Sequence, residues 1–236
     1  MITFSNKDTI YIGREAGKEI HSRIKNAKKS VKIVSPYLSP DYINDIITLH
    51  KKGVKVTLIT CDKIGSNSYS NFKSSDLVKE ERIKDKGTEK LKKLLFKSFI
   101  GLFIIFIFIG LSAFIFPALF IFSGLILLLS ILSLISSKFV SDYKIIYKPI
   151  FRIKVFDSTS GKNPRSTELV HSKIFVIDEE VAFLGSINFT YSGFKTHYET
   201  TIKVEDKNAV NNISKEVESL YSSNDLREKS VEEWMM

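Results

Sequence analysis

The sequence predicts a mixed α/β domain, a mostly parallel sheet flanked by helices, interrupted by a two-helix transmembrane hairpin. Three observations carry that expectation. Helix and strand periodicities alternate over residues 14–60, strand patterns recur after residue 150, and residues 98–137 between them contain no Asp, Glu, Lys, Arg or His.

In residues 14–29, Ala16, Ile20, Ile24 and Ala27 recur at steps of four, four and three and mark one helix face. Val31-Lys32-Ile33-Val34 reads as a strand. Ser39 is placed to cap the next helix, with Pro40 at its first position, where a missing N–H costs nothing. Gly53 ends that helix after Lys52, and residues 54–60 form a second strand, so the economical arrangement is a βαβ unit. Residues 62–75, rich in Ser and Asn, read as a loop, and the Lys/Glu-rich stretch 77–95 reads as helix. Beyond the hairpin, residues 151–156 alternate as a half-buried strand and residues 158–165 form a polar loop. Residues 169–177 and 181–184 are strands joined by a turn at Asp178-Glu179-Glu180. Residues 200–204 form another strand, a last helix covers 207–221, and the polar end of the chain, Trp234 included, reads as a frayed tail.

Of the 40 residues in 98–137, 29 are apolar and the rest are Ser, Gly and one Pro. About 20 helical residues cross a hydrocarbon core of roughly 30 Å, so two spans fit. Pro117 offers the cheapest turn between arms at 98–116 and 118–136. Both outer ends are basic, with Lys90, Lys92, Lys93 and Lys97 before and Lys138, Lys144 and Lys148 after, so the positive-inside rule puts the flanking domain in the cytoplasm. A shallow re-entrant hairpin and a buried helical pair are the competing readings. The expected division is 1–97 and 138–222 as two parts of one domain, 98–137 as the hairpin and 223–236 as a tail.

No secretory signal pattern opens the chain. The single cysteine, Cys61, excludes an intrachain disulfide and a Cys-based zinc set. A formal net charge of +9 suits nucleic acid or an anionic lipid surface without choosing between them.

The chemistry-bearing segment is His171-Ser172-Lys173 with Asp178, followed by Gly185-Ser186-Ile187-Asn188. On a strand, His171 and Lys173 share a face. An imidazole beside an ammonium is a poor core pair but a good phosphate site. The Ser186 hydroxyl and Asn188 amide add hydrogen bonds to phosphate oxygens, and Glu199 is suited to hold an imidazole nitrogen. His21, on the polar face of its helix, and His50, at a helix C-terminus, read as surface residues. His197, two residues before Glu199, is the one other histidine worth testing, and Ser35 and Tyr37 are candidate substrate contacts at a strand end.

This pattern resembles the His-x-Lys-x4-Asp motif of the phospholipase D superfamily, with its downstream Gly-Ser-x-Asn and an acid at Glu199. The resemblance extends more loosely over residues 11–60 and 151–204. The hairpin has no counterpart in soluble members, and His197-Tyr198-Glu199 stands where the family often has Asn-x-Glu. The resemblance implies that His171 attacks a phosphodiester phosphorus to form a phosphohistidine while a second histidine serves as acid and then base. Lys173 and Asn188 would stabilise the transition state, Ser186 would position phosphate, and Asp178 and Gly185 would be structural. No cofactor or metal is implied.

One motif per chain, against the family's two-histidine site, implies a homodimer sharing one active site across a two-fold axis. Three functions follow: a membrane-bound phosphodiesterase acting on phospholipid by hydrolysis or transfer, a membrane-tethered nuclease cutting DNA or RNA, and a non-catalytic scaffold. Location beside lipid favours the first.

Overall fold

The computed structural model describes residues 8–14, 16–62, 74–157, 170–230 and 233–234. The elements, in chain order, are β1 (Thr9–Gly13), α1 (Gly17–Lys25), β2 (Ser30–Val34), α2 (Pro40–Lys51), β3 (Lys55–Cys61), a 3-10 turn (Ser74–Leu77), β4 (Val78–Lys84), α3 (Lys86–Ser112), α4 (Leu119–Phe139), β5 (Tyr143–Pro149), β6 (Arg152–Phe156), β7 (Ile174–Ile177), β8 (Val181–Gly185), α5 (Tyr191–Lys195), β9 (Glu199–Val204) and α6 (Lys207–Ser222). They divide into two compact units, one of Met1–Lys79 with Tyr147–Met236, the other of Glu80–Ile146.

The first unit is a mixed seven-stranded sheet in the order β1-β9-β8-β7-β2-β3-β6. The expected βαβ unit is present, with β2 parallel to β3 and Ile33 opposite Leu58. β3 is also parallel to β6. The parallel part stops there. β7, β8, β9 and β1 join through antiparallel pairings, and residues 178–180 connect β7 to β8 too tightly for a crossover helix between that pair.

Strand alternation splits the core into two layers. Ile33, Phe175 and Phe183 face Ile20 and Ile24 of α1 and Ile43 and Ile46 of α2. Val34, Ile59 and Val176 face Val210, Ile213 and Val217 of α6. Both faces are covered, which is why the central strands are apolar almost throughout.

Several elements depart from the sequence expectation. α2 begins at Pro40 as expected, but Ser39 does not cap it: its hydroxyl accepts the Tyr191 N–H (3.0 Å), tying the helix start to α5. Residues 78–84 form a strand rather than the start of a helix, because pairing with β5 outweighs the helix propensity of a Lys/Glu-rich run. The chain end is not loose: Lys229 N–H donates to Val155 O (2.9 Å) alongside β6, and Trp234 is buried in the α1–α2 layer. β1, β5 and α5 are additions, and the expected loop at 158–165 lies outside the described residues.

In the second unit, α3 and α4 pack together, and both are long and apolar enough to cross a membrane. The turn between them contains Pro117. α3 starts well before residue 98 because Asp85 caps it, its carboxylate accepting the Gly87 N–H (2.8 Å). Ser133 Oγ donates to Leu95 O (2.8 Å) and ties the two arms side by side.

Candidate active site

The antiparallel register of β7, β8 and β9 brings distant parts of the sequence to one end of the sheet. Ile174 lies opposite Leu184, and Gly185 opposite Thr201. His171 and Lys173 therefore sit just before β7, Ser186 and Asn188 just after β8, and Glu199 at the start of β9. His171 and Lys173 fall outside the ladder rather than within a strand, although Lys173 O still accepts the Gly185 N–H (3.3 Å).

Their shared side survives this shift. Lys173 Nζ lies 2.9 Å from His171 Nδ1 and 3.3 Å from Nε2, and it donates to His171 O at 2.7 Å. His171 is exposed while Lys173 is buried, at 7% exposure. Burial pushes the Lys173 ammonium below the ordinary lysine pKa, with Glu199 and Cys61 acting in the opposite direction. An exposed imidazole beside a buried cation suits an anionic substrate arriving from solvent.

Ser186 and Glu199 form the second pair. The Ser186 hydroxyl donates to the Glu199 carboxylate and accepts the Thr200 N–H (3.0 Å). Glu199 is 8% exposed. On its outer side His197, 61% exposed, places Nδ1 3.6 Å from Glu199 Oε1. Gly185 permits the approach of β8 to β9, since a Cβ there would run into the Thr200 carbonyl. Asn188 is half-buried with an unpartnered, buried Oδ1, and its carbonyl accepts the Thr190 N–H (2.8 Å).

Asp178 is remote from this cluster, at the far end of β7. It and Glu179 take φ of 54° and 58° in the turn closed by Glu180 N–H to Ile177 O (3.0 Å). Its carboxylate accepts the N–H groups of Lys28, Lys29 and Ser30 at 2.6–3.0 Å. Burial raises its pKa, but these backbone bonds hold it below the usual carboxylate value.

Ser35 is fully buried, and its hydroxyl accepts the Phe189 N–H (2.9 Å) while donating to Tyr37 O (2.8 Å). It ties the end of β2 to the segment carrying Asn188 and does not face a substrate. Tyr37 is half-buried beside it. His21 is not a solvated surface residue: Nε2 sits 2.9 Å from Asp45 Oδ2, and the ring meets the Tyr42 ring edge-on at 4.8 Å. The packing of α1 on α2 creates that contact, which a single-helix reading does not contain. Among the described residues no cluster of three or more His, Cys, Asp or Glu could hold a metal ion.

A family model described as cardiolipin synthase, PLD-like domain, matches residues 20–101 and 135–221, leaving out most of the apolar hairpin. No curated protein matches the chain. Among solved structures, NucT from Helicobacter pylori is 17% identical, with 92% of this chain and 96% of that one covered and a TM-score of 0.51. Nuc from Salmonella typhimurium, a phospholipase D family member, is 13% identical over 94% and 99% of the two chains, with a TM-score of 0.45. Phosphatidylserine synthase from Haemophilus influenzae is 14% identical over 94% of this chain and 39% of its own, at 0.43. The family match spans both halves of the sheet and the His171–Asn188 segment, and the chain belongs to the phospholipase D superfamily, among its PLD-like domains.

Proposed function

We propose that the protein is a membrane-bound phosphodiesterase that acts on phospholipid through a phosphohistidine at His171. The observation that carries this reading is the convergence of His171, Lys173, Ser186 and Glu199 on one end of the sheet, with the imidazole exposed and the cation behind it buried.

An imidazole nitrogen of His171 attacks phosphorus, a P–N bond forms and the P–O bond to the leaving alcohol breaks. The departing oxygen takes a proton from a second histidine. Water, or an acceptor alcohol, then gives a proton to that histidine and attacks phosphorus, releasing His171. Lys173 and the Asn188 amide stabilise charge on the phosphoryl oxygens as the five-coordinate state forms, and Ser186, oriented by Glu199, positions them. The second histidine is His171 of another copy, so two chains build one site about a two-fold axis.

Lipid is favoured as substrate because two helices long enough to cross a membrane are inserted into the domain, and because the matching family description names a lipid-synthesising enzyme. The hairpin would hold the site at the cytoplasmic face, beside its substrate.

The test offers purified protein, with chelator present, mixed phospholipid vesicles and labelled single- and double-stranded DNA and RNA in parallel. Release of head group or phosphatidic acid that disappears in His171→Ala is the expected result. Cleavage of nucleic acid alone would make the protein a tethered nuclease, and inactivity on every substrate by a dimeric protein would favour a scaffold.

A further inference from the structure

β4 and β5 form a two-stranded ribbon separate from the seven-stranded sheet, joined directly to the outer ends of α3 and α4. Asp85 N–H donates to Asp142 O at one end of the ribbon (2.9 Å) and Ile150 N–H to Leu77 O at the other (3.0 Å), so the strands run antiparallel with Lys84 opposite Tyr143 and Arg82 opposite Ile145. Alternation then puts Arg82, Lys84, Tyr143 and Ile145 on one face. All four are exposed, Tyr143 at 46% and Ile145 at 44%.

The charge around this face is net basic, although exposed Glu80 continues the face beyond Arg82. Residues 80–97 and 138–146 hold nine Lys and Arg against five Asp and Glu. Two of those acids are engaged by Lys92 and Lys93, which sit 3.3 Å from Asp142 and 2.5 Å from Glu89. Position adds a second constraint. Phe139, at the end of α4, is 85% exposed and only four residues from Tyr143, a tether of at most about 14 Å. If α4 lies in a bilayer, the ribbon cannot leave the headgroup zone by much.

We propose that this ribbon is an anionic-lipid clamp: Tyr143 and Ile145 enter the interfacial layer, and Arg82 and Lys84 hold lipid phosphates. Aromatic side chains prefer that depth, and each basic residue near an anionic leaflet is worth about fivefold in partition. The clamp rests on the membrane placement proposed above. Exposed apolar groups alternating with the cations favour lipid over nucleic acid, which would be met by charge and stacking in a groove.

Cys61 is fully buried, so an introduced cysteine can be labelled selectively, with the parent chain as the blank. An environment-sensitive dye is placed at Ile145→Cys or, within the hairpin, at Phe108→Cys. The full chain is reconstituted in vesicles of phosphatidylcholine with or without phosphatidylglycerol, carrying nitroxide quenchers at headgroup or mid-chain depth. The dye at position 145 should be quenched by headgroup nitroxides, more strongly with phosphatidylglycerol, and Arg82→Glu with Lys84→Glu should cut that quenching at least fivefold.

A dye at 145 that behaves as in buffer, while the dye at 108 is quenched at mid-chain depth, overturns the clamp and leaves the membrane placement standing. If the dye at 108 is also unquenched, both fall. Equal quenching in the two vesicle types overturns the anionic selectivity. Unchanged quenching together with weakened DNA or RNA binding in the charge-reversed chain would assign the ribbon to nucleic acid and overturn the clamp.

Discussion

Lys173 is a buried ammonium, 7% exposed, set against an exposed imidazole. Its folded pKa is lowered by burial, so folding penalises its charged form. That penalty is fully present below the folded pKa and is relieved as pH rises through it toward the unfolded value. In the proposed mechanism, loss of the charge also removes a phosphate-binding group, so the alkaline limb of the rate profile should fall below the ordinary lysine range, a shift that a pH–kcat series would detect. Lys173→Ala should lower kcat by about 10²–10³-fold, the usual effect of deleting one charge-stabilising donor. Asp178→Ala is expected to leave kcat intact while costing about 1–3 kcal/mol, since it orphans the N–H groups of Lys28, Lys29 and Ser30. Because the Asp178 pKa is depressed, its contribution is present above the unfolded carboxylate value and disappears as pH falls through the folded one. Denaturant melts at neutral and acid pH would test the pair of statements. Spacing, read together with the family resemblance, singled these residues out as candidates. What spacing lacks is burial: nothing in the sequence distinguishes exposed His171 from buried Lys173, or reveals that Ser35 is enclosed.

At the scale of elements, the site depends on how closely β8 and β9 approach. Gly185→Ala would push a methyl into the Thr200 carbonyl, and a Cβ would lie 2.8 Å from the Thr201 Cα. The change should destabilise the first unit by about 1–3 kcal/mol, read as a lower urea midpoint. It should also displace Ser186 from Glu199 and reduce activity beyond what the stability loss explains. The apolar run Val181–Leu184 announced its strand, because both faces of the sheet are covered there. β4 was hidden, since Lys, Glu and Arg favour helix and only the partner strand β5, more than fifty residues away, turns them into ribbon. β1 carried a signal in Ile10, Tyr11 and Ile12, but its role as a sheet edge comes from β9, which no local window contains.

For the molecule as a whole, one motif per chain makes assembly part of the proposed chemistry. If two copies of His171 serve each site, mixing wild type with His171→Ala should lower activity as the square of the wild-type fraction. A monomer using its own His197 would give a linear decline and would lose activity in His197→Ala. The uncharged run at 98–137 made the hairpin plain from composition, whereas the proposed two-fold site is inferred only from one motif standing where the resembling family has two histidines.

The reading of His171 as nucleophile is tested most directly by trapping the intermediate. Protein is incubated with a phospholipid labelled at its phosphorus, quenched in denaturant at alkaline pH, and digested for peptide mapping. Acid-labile, base-stable label on the peptide containing His171, missing from His171→Ala, is the predicted result. Turnover of the same lipid without covalent label, or label that persists in His171→Ala, would contradict it.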